Sequence, residues 1–127
     1  MTCTGEEAST VSSCAALNQA DLIYPQYREA GALLWRGFTI EDMANQLCGN
    51  VHDFGGGKQM PVHYGKHSIN YMTVSSPLCT QVPQASGAGY TYRIKGEDKV
   101  AVTYFGEGAA SEGDFHAALN FAATLRS

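Results

Sequence analysis

A chain of 127 residues with 44% hydrophobic and 16% charged side chains has the size and balance of one globular domain that can bury a core. Its net charge of −4 argues against a nucleic-acid or anionic-membrane partner, since both call for a basic surface, and no apolar run approaches transmembrane length. Cys3, Cys14, Cys48 and Cys79 form no Cys-x-x-Cys pair and complete no zinc pattern with the histidines, so reduced and mostly buried thiols are expected, as in a cytosol or mitochondrial matrix.

In chain order, a helix is expected over residues 6–17, a short strand at Leu22–Tyr24 and a helix through Ala30–Trp35. Glu6 and Glu7 precede the first arginine, Arg28, so neither a secretory signal nor a transit peptide is visible. Thr39 reads as the N-cap of a further helix, with Asp42 at the third position, Ile40, Met43, Ala44 and Leu47 on one face, and Gly49 as its stop. The polar, glycine-rich stretch from Asn50 to Asn70 is too long for a plain connection and is expected to be a functional loop. Within it, Gly55-Gly-Gly-Lys58 fails as a phosphate-binding loop because His52 stands where the first glycine belongs and Gln59 replaces Ser or Thr. His63 and His67 have a metal-binding helical spacing, but Gly65 between them argues for a loop.

A strand near Tyr71–Val74 follows, and composition alone makes the segment from Ser75 a turn leading into a helix. The small residues from Ala85 to Gly89 suit a helix pressed against a sheet, with Pro83 in its first turn, because a mid-helix proline would break it. Val100, Ala101, Val102, Tyr104 and Phe105 then read as a central strand covered on both faces, as in a parallel sheet. Alternating helices and strands give an α/β class.

That strand breaks into Gly106-Glu-Gly-Ala-Ala-Ser-Glu-Gly-Asp114. Gly106 and Gly108 remove Cβ atoms that would keep backbone amides from an anion, and Glu107 supplies the hard oxygen ligand that Mg2+ prefers. A carboxylate beside a diphosphate makes sense mainly with a cation between them. Ser111 reads as the N-cap of the last helix, with Asp114 at its third position and Phe115, Ala118, Leu119, Ala122 and Leu125 at helical spacing, so the helix N-terminus would add to an anion site. Alone, this is equally ordinary α/β connection chemistry, and as a dinucleotide fingerprint it is weak because Ser111 stands where Gly or Ala is expected.

The loop does not stand alone. Gln26-Tyr-Arg-Glu-Ala-Gly31, Gly57-Lys-Gln-Met-Pro-Val-His-Tyr-Gly65, Ser75-Ser-Pro-Leu-Cys-Thr-Gln-Val-Pro-Gln84 and the Gly106–Asp114 loop occur in one order at compatible separations. Together they closely resemble the α subunits of branched-chain 2-oxo acid dehydrogenases, the thiamine-diphosphate-dependent E1 components, and the likeness runs from about Gly5 to Leu125. The resemblance implies a thiamine-diphosphate-binding α/β fold, a mostly parallel sheet with helices on both faces, of which residues 1–127 are an incomplete, diphosphate-side part. It implies that Glu107 is a Mg2+ ligand, that Gly108 and Ala109 line the diphosphate, and that Tyr27 and Arg28 bind it, the arginine through paired, charge-assisted bonds. Ser76 and Leu78 would contact the cofactor, and Ser75, Pro77, Thr80 and Gln81 would offer oxygens to a structural K+. Cys79 stands where the family usually has alanine.

The same resemblance implies oxidative decarboxylation of branched-chain 2-oxo acids with acyl transfer to a lipoyl-bearing E2 partner. It also implies an E1 β subunit in an α2β2 heterotetramer, and a place in the mitochondrial matrix, or the cytoplasm if bacterial. The Asn-Asn pair that completes the thiamine-diphosphate signature, and the family's active-site histidines, are not reached by Ser127. The chain is therefore expected to be an internal fragment without catalytic residues of its own and inactive alone. A pyruvate-type E1 α subunit, or an inert truncated subunit that only binds a partner, are the alternatives.

Overall fold

The computed structural model describes residues 2–127. Its elements are α1 (Glu7–Ala15), β1 (Leu22–Tyr24), α2 (Ala30–Trp35), α3 (Ile40–Cys48), a 3-10 turn at His67–Ile69, α4 (Gln81–Lys95), β2 (Ala101–Thr103), α5 (Glu107–Ala110) and α6 (Gly113–Leu125). Helices surround a small parallel sheet in which Leu22, Ile23 and Tyr24 align with Ala101, Val102 and Thr103, an α/β arrangement. No helix is long and apolar enough to cross a membrane among the described residues.

The central position belongs to β1, not β2. Ile23 is fully buried, and β1 is bonded on both sides: Ile23 N–H donates to Asn70 O (2.9 Å) and its carbonyl accepts from Met72 N–H (2.9 Å), while toward β2 Leu22 N–H donates to Val100 O, Tyr24 O accepts from Tyr104 N–H, and Ile23 aligns with Val102. By contrast β2 is only half-buried, with Val100 and Phe105 exposed beside it, so the expectation of a strand covered on both faces does not hold. Ala101 and Thr103 of β2 instead line an open cavity of about 460 Å3 shared with α4 and α6. The expected strand at Tyr71–Val74 shrinks to single bridges from Tyr71 to Ile23 and to Lys66. Its amides alternate between neighbours, Met72 to Ile23 and Val74 to Tyr64, so no continuous ladder forms with either.

Two apolar clusters hold these pieces. Cys14, Ile23, Ala32, Leu33, Phe38, Tyr64 and Tyr71 form the first, joining α1, α2 and β1 to the long loop. Cys79, Val82, Ala109 and Ala118 form the second, joining α4, α5 and α6. The two buried thiols, Cys14 and Cys79, sit one in each cluster, whereas Cys48 is exposed; all four cysteines are free.

Helix α3 begins and ends on local chemistry. Asp42 N–H donates to Thr39 Oγ1 and Thr39 N–H donates to Asp42 Oδ2, both at 3.0 Å, and Gly49 closes the helix in the left-handed region at φ 59°. Its apolar face is only partly turned inward: Met43 packs against the first cluster, but Ile40 is 78% and Leu47 55% exposed. The buried position is Gln46, whose amide nitrogen donates to Met60 O and His63 O while its oxygen accepts from Val62 N–H. Hydrogen bonding to a loop, which periodicity does not register, orients this helix. Thr39→Ala is expected to lower stability by about 1 kcal/mol, read as a shifted urea midpoint at constant slope.

Ser111 does not cap the last helix. The chain turns helical immediately after the extended Gly106, forming α5 through Ala109 and Ala110, and Ser111 becomes the residue that ends it. Helix α6 starts afresh after Glu112, with Asp114 as its second residue, and Glu112 makes no side-chain cap. Alanine is the best helix former, so the Ala109-Ala110 pair adds a turn of helix where a loop is expected.

Candidate functional site

The turn after β1 carries Gln26, Tyr27, Arg28 and Glu29 past the end of the sheet, and the parallel partner β2 delivers Gly106–Ala109 to the same end. Between them lies a cavity of about 720 Å3 whose far side is α1, through Ser9 and Ser13, with the preceding Glu6. Tyr27, Arg28, Leu78, Glu107, Gly108 and Ala109 all line it. Leu78 reaches it because Gly108 has no side chain: a Cβ there would stand 3.3 Å from Leu78 Cδ1.

Charge in this cavity is unbalanced. Three carboxylates, Glu6, Glu29 and Glu107, face the single guanidinium of Arg28. Burial holds the Glu29 carboxyl above the ordinary glutamate range, outweighing the N–H of Gln26 that donates to it at 2.8 Å. Arg28 donates from Nη1 to Thr2 O (2.9 Å) and lies 5.9 Å from the Tyr27 ring centre, leaving the rest of its fork to an anion. Gln26 Nε2, on the same wall, is buried without a hydrogen-bond partner. A buried donor in that state costs free energy until something accepts from it.

These features fit a diphosphate held through a divalent cation. An unpaired amide donor, an arginine fork and a glycine approach suit phosphate oxygens, while the surplus carboxylate opposes a bare anion and favours one neutralised by metal. No group of three or more His, Cys, Asp or Glu side chains that could hold a metal converges among the described residues, so exposed Glu107 offers one ligand and the others must be phosphate or further oxygens.

The remaining sequence-predicted residues do not line this cavity. Thr80 Oγ1 donates to Pro77 O at 3.0 Å, bringing two oxygens side by side. Gln81, the buried first residue of α4, donates from Nε2 to Tyr104 O (2.8 Å) while its Oε1 has no partner. An orphaned buried carbonyl suits a weakly hydrated monovalent cation. Ser75 is half-buried and Ser76 exposed; neither lines the cavity, and the Ser76 hydroxyl lies 2.7 Å from His63 Nε2. The start of α6, expected to support the anion site, is displaced from it by α5, and the lining stops at Ala109.

Sequence reasoning missed Gln26 and Glu29 as wall residues. Both sit inside the quoted Gln26–Gly31 motif, but what marks them is burial of an amide and a carboxyl, which adjacency in sequence does not register.

All of residues 1–127 match the family described as the dehydrogenase E1 component. The chain is 58% identical over 125 residues to the 2-oxoisovalerate dehydrogenase subunit alpha, mitochondrial, of Dictyostelium discoideum, covering 98% of this chain and 28% of that protein. It is 58% identical over 127 residues to the protein of the same name from Caenorhabditis elegans, covering 99% and 30%. For the Bos taurus protein the identity is 54% over 125 residues, covering 98% and 28%. The chain thus spans less than a third of the length of the curated relatives it matches. With the whole of its length matched at this level, the chain belongs to the dehydrogenase E1 component family.

Proposed function

We propose that these residues are the diphosphate-gripping part of an E1 α subunit, serving the oxidative decarboxylation of branched-chain 2-oxo acids with acyl transfer to a lipoyl-bearing E2. The observation that carries this reading is the convergence of Tyr27, Arg28, Leu78 and Glu107–Ala109, from three separate segments, on one cavity with surplus carboxylate. Bound thiamine diphosphate would supply the carbanion and electron-sink chemistry. This chain's own residues would hold and orient it: Arg28 and Tyr27 on phosphate oxygens, the backbone at Gly108 and Ala109 alongside, Glu107 on Mg2+, and Ser76 and Leu78 against the cofactor.

Ser75, Pro77, Thr80 and Gln81 would hold K+, with the unpartnered Gln81 Oε1 as the observation in favour. Its neighbour Nε2 is already tied to Tyr104 O, so a cation there would fasten the start of α4 to the cavity wall. A thiamine-diphosphate-binding fold, of which residues 1–127 form a part, an E1 β partner in an α2β2 heterotetramer, and the mitochondrial matrix complete the reading; the named relatives are mitochondrial. With one metal-binding carboxylate and no catalytic residue of its own, the 127-residue chain is expected to bind the cofactor weakly and not to decarboxylate.

The test is calorimetric or NMR titration of the purified chain with thiamine diphosphate, with and without Mg2+. Weak, Mg2+-dependent binding is expected, and Glu107→Gln should reduce the Mg2+-dependent affinity tenfold or more, about 1.4 kcal/mol. Binding that ignores Mg2+, or an unaffected variant, would remove Glu107 from the site.

A further inference from the structure

The wall that α1 and Tyr104 present to the diphosphate cavity shows hydroxyl groups whose protons are all engaged. Ser9 Oγ and Thr10 Oγ1 donate back to Glu6 O at 2.9 and 2.8 Å. Ser13 Oγ donates within the helix, with Ser9 O at 2.7 Å and Thr10 O at 3.1 Å, so at 2.8 Å it accepts from Tyr104 OH. A hydroxyl has one proton to give, and each of these four has given it. What remains toward the cavity is lone pairs.

Glu6 adds a full negative charge to that wall. It stands at the start of α1, yet its exposed carboxylate makes no cap hydrogen bond, and it has no ion pair among the described residues. Its neighbour Glu7 differs: it accepts from Gly5 N–H at 2.8 Å and does not line the cavity. The charge of Glu6 is felt inside, where burial raises the Glu29 carboxyl first and Glu6 adds to that effect.

The cavity is therefore polarised. Arg28 offers its fork on the other side, and Glu107 offers the metal its carboxylate, so a Mg2+-bridged diphosphate leaves Glu6 without a task. Set against a phosphate alone, Glu6 would weaken binding. Lone pairs and an unpaired carboxylate on one wall, opposite a guanidinium on the other, suit a ligand that is anionic at one end and cationic at the other.

Resting on the cofactor reading above, we propose that Glu6 is a specificity-determining residue, through which the α1 wall selects, among Mg2+ complexes of diphosphate esters, those whose organic part carries a permanent positive charge. The thiazolium ring of thiamine diphosphate is such a group; a nucleoside diphosphate or inorganic pyrophosphate has none. The selection works by charge, because the wall's hydroxyls have no proton left with which to read the acceptors of a ring.

The experiment is a calorimetric titration of the chain, in Mg2+, with thiamine diphosphate and with its thiophene isostere, in which carbon replaces the charged ring nitrogen and the outline is kept. The cationic ligand is expected to bind about fivefold tighter at low ionic strength, a contrast that shrinks as salt screens an exposed carboxylate. Glu6→Gln, at an exposed position, should bring the two affinities together, whereas Glu7→Gln should leave their ratio unchanged. Equal binding of both ligands by the unaltered chain, or a contrast that survives Glu6→Gln, overturns the assignment alone. A Glu6→Gln variant that weakens both ligands equally and raises the Mg2+ concentration they need also overturns it, by making Glu6 a metal ligand. If neither ligand binds at any Mg2+ concentration, the cofactor reading falls and the selection with it.

Discussion

Gly65→Ala is expected to destabilise the chain by about 3 kcal/mol, the upper end of what a forced contact costs in a packed region. A Cβ at this position would stand 2.3 Å from Thr73 Oγ1 and 2.5 Å from Thr73 Cα. Turning the threonine side chain relieves the first contact but not the second, which is with backbone. Segments 64–66 and 71–74 would have to separate, yet they are tied by Lys66 N–H to Tyr71 O (2.9 Å) and Val74 N–H to Tyr64 O (3.1 Å). Tyr71 and Tyr64 both belong to the first apolar cluster, so the damage would spread into the core. Urea unfolding of both proteins measures the loss; a midpoint within error of wild type would mean that the two segments are not held at this spacing in solution.

Ile23→Ala should cost about 4 kcal/mol, against about 1 kcal/mol for Ile23→Val. Ile23 is fully buried, its backbone bonded to Asn70 and Met72 and aligned with Val102 of β2, so the space left by a truncated side chain has little room to collapse. The contrast between the two substitutions matters more than either value. Equal and small losses would mean that the cluster around Ile23 repacks freely, which is inconsistent with a side chain enclosed on every side.

Where local chemistry decides structure, the sequence was readable. Thr39, Asp42 and Gly49 delimit α3 because a cap needs only its own neighbours, and Pro83 falls in the first turn of α4 for the same reason. Leu22–Tyr24 and Ala30–Trp35 match their expected bounds. The errors arise where distant partners decide. Val100–Phe105 has the composition of a central strand, but β1 takes that position because its two edges are claimed by Asn70–Met72 and β2. The apolar face of α3 obeys helical spacing, yet Gln46 sets which side faces the loop.

The candidate site divides in the same way. Tyr27, Arg28, Leu78 and Glu107–Ala109 were named from motifs and share one cavity wall, whereas the unpaired amide of Gln26, the raised carboxyl of Glu29 and the bond from Ser76 to His63 depend on burial and on contacts across the chain. The spacing of His63 to His67 is visible in a sequence, whereas its hydrogen bond to residue 76 is not.

The parallel pairing of β1 with β2 also fixes the order in which this chain can fold. Asp21 Oδ1 accepts from Val100 N–H across 79 residues, and closing a segment of that length costs about 4 kcal/mol in chain entropy before any contact offsets it. A ribosome adding 5–20 residues per second leaves β1 waiting roughly 4–16 s for that partner. Tyr71 emerges much sooner, and the cluster it joins spans Cys14 to Tyr71, so the amino-terminal half can collapse around β1 first. During that interval the edge of β1 that later meets β2 is open to other chains, which makes nascent or slowly refolding molecules the population most exposed to mispairing.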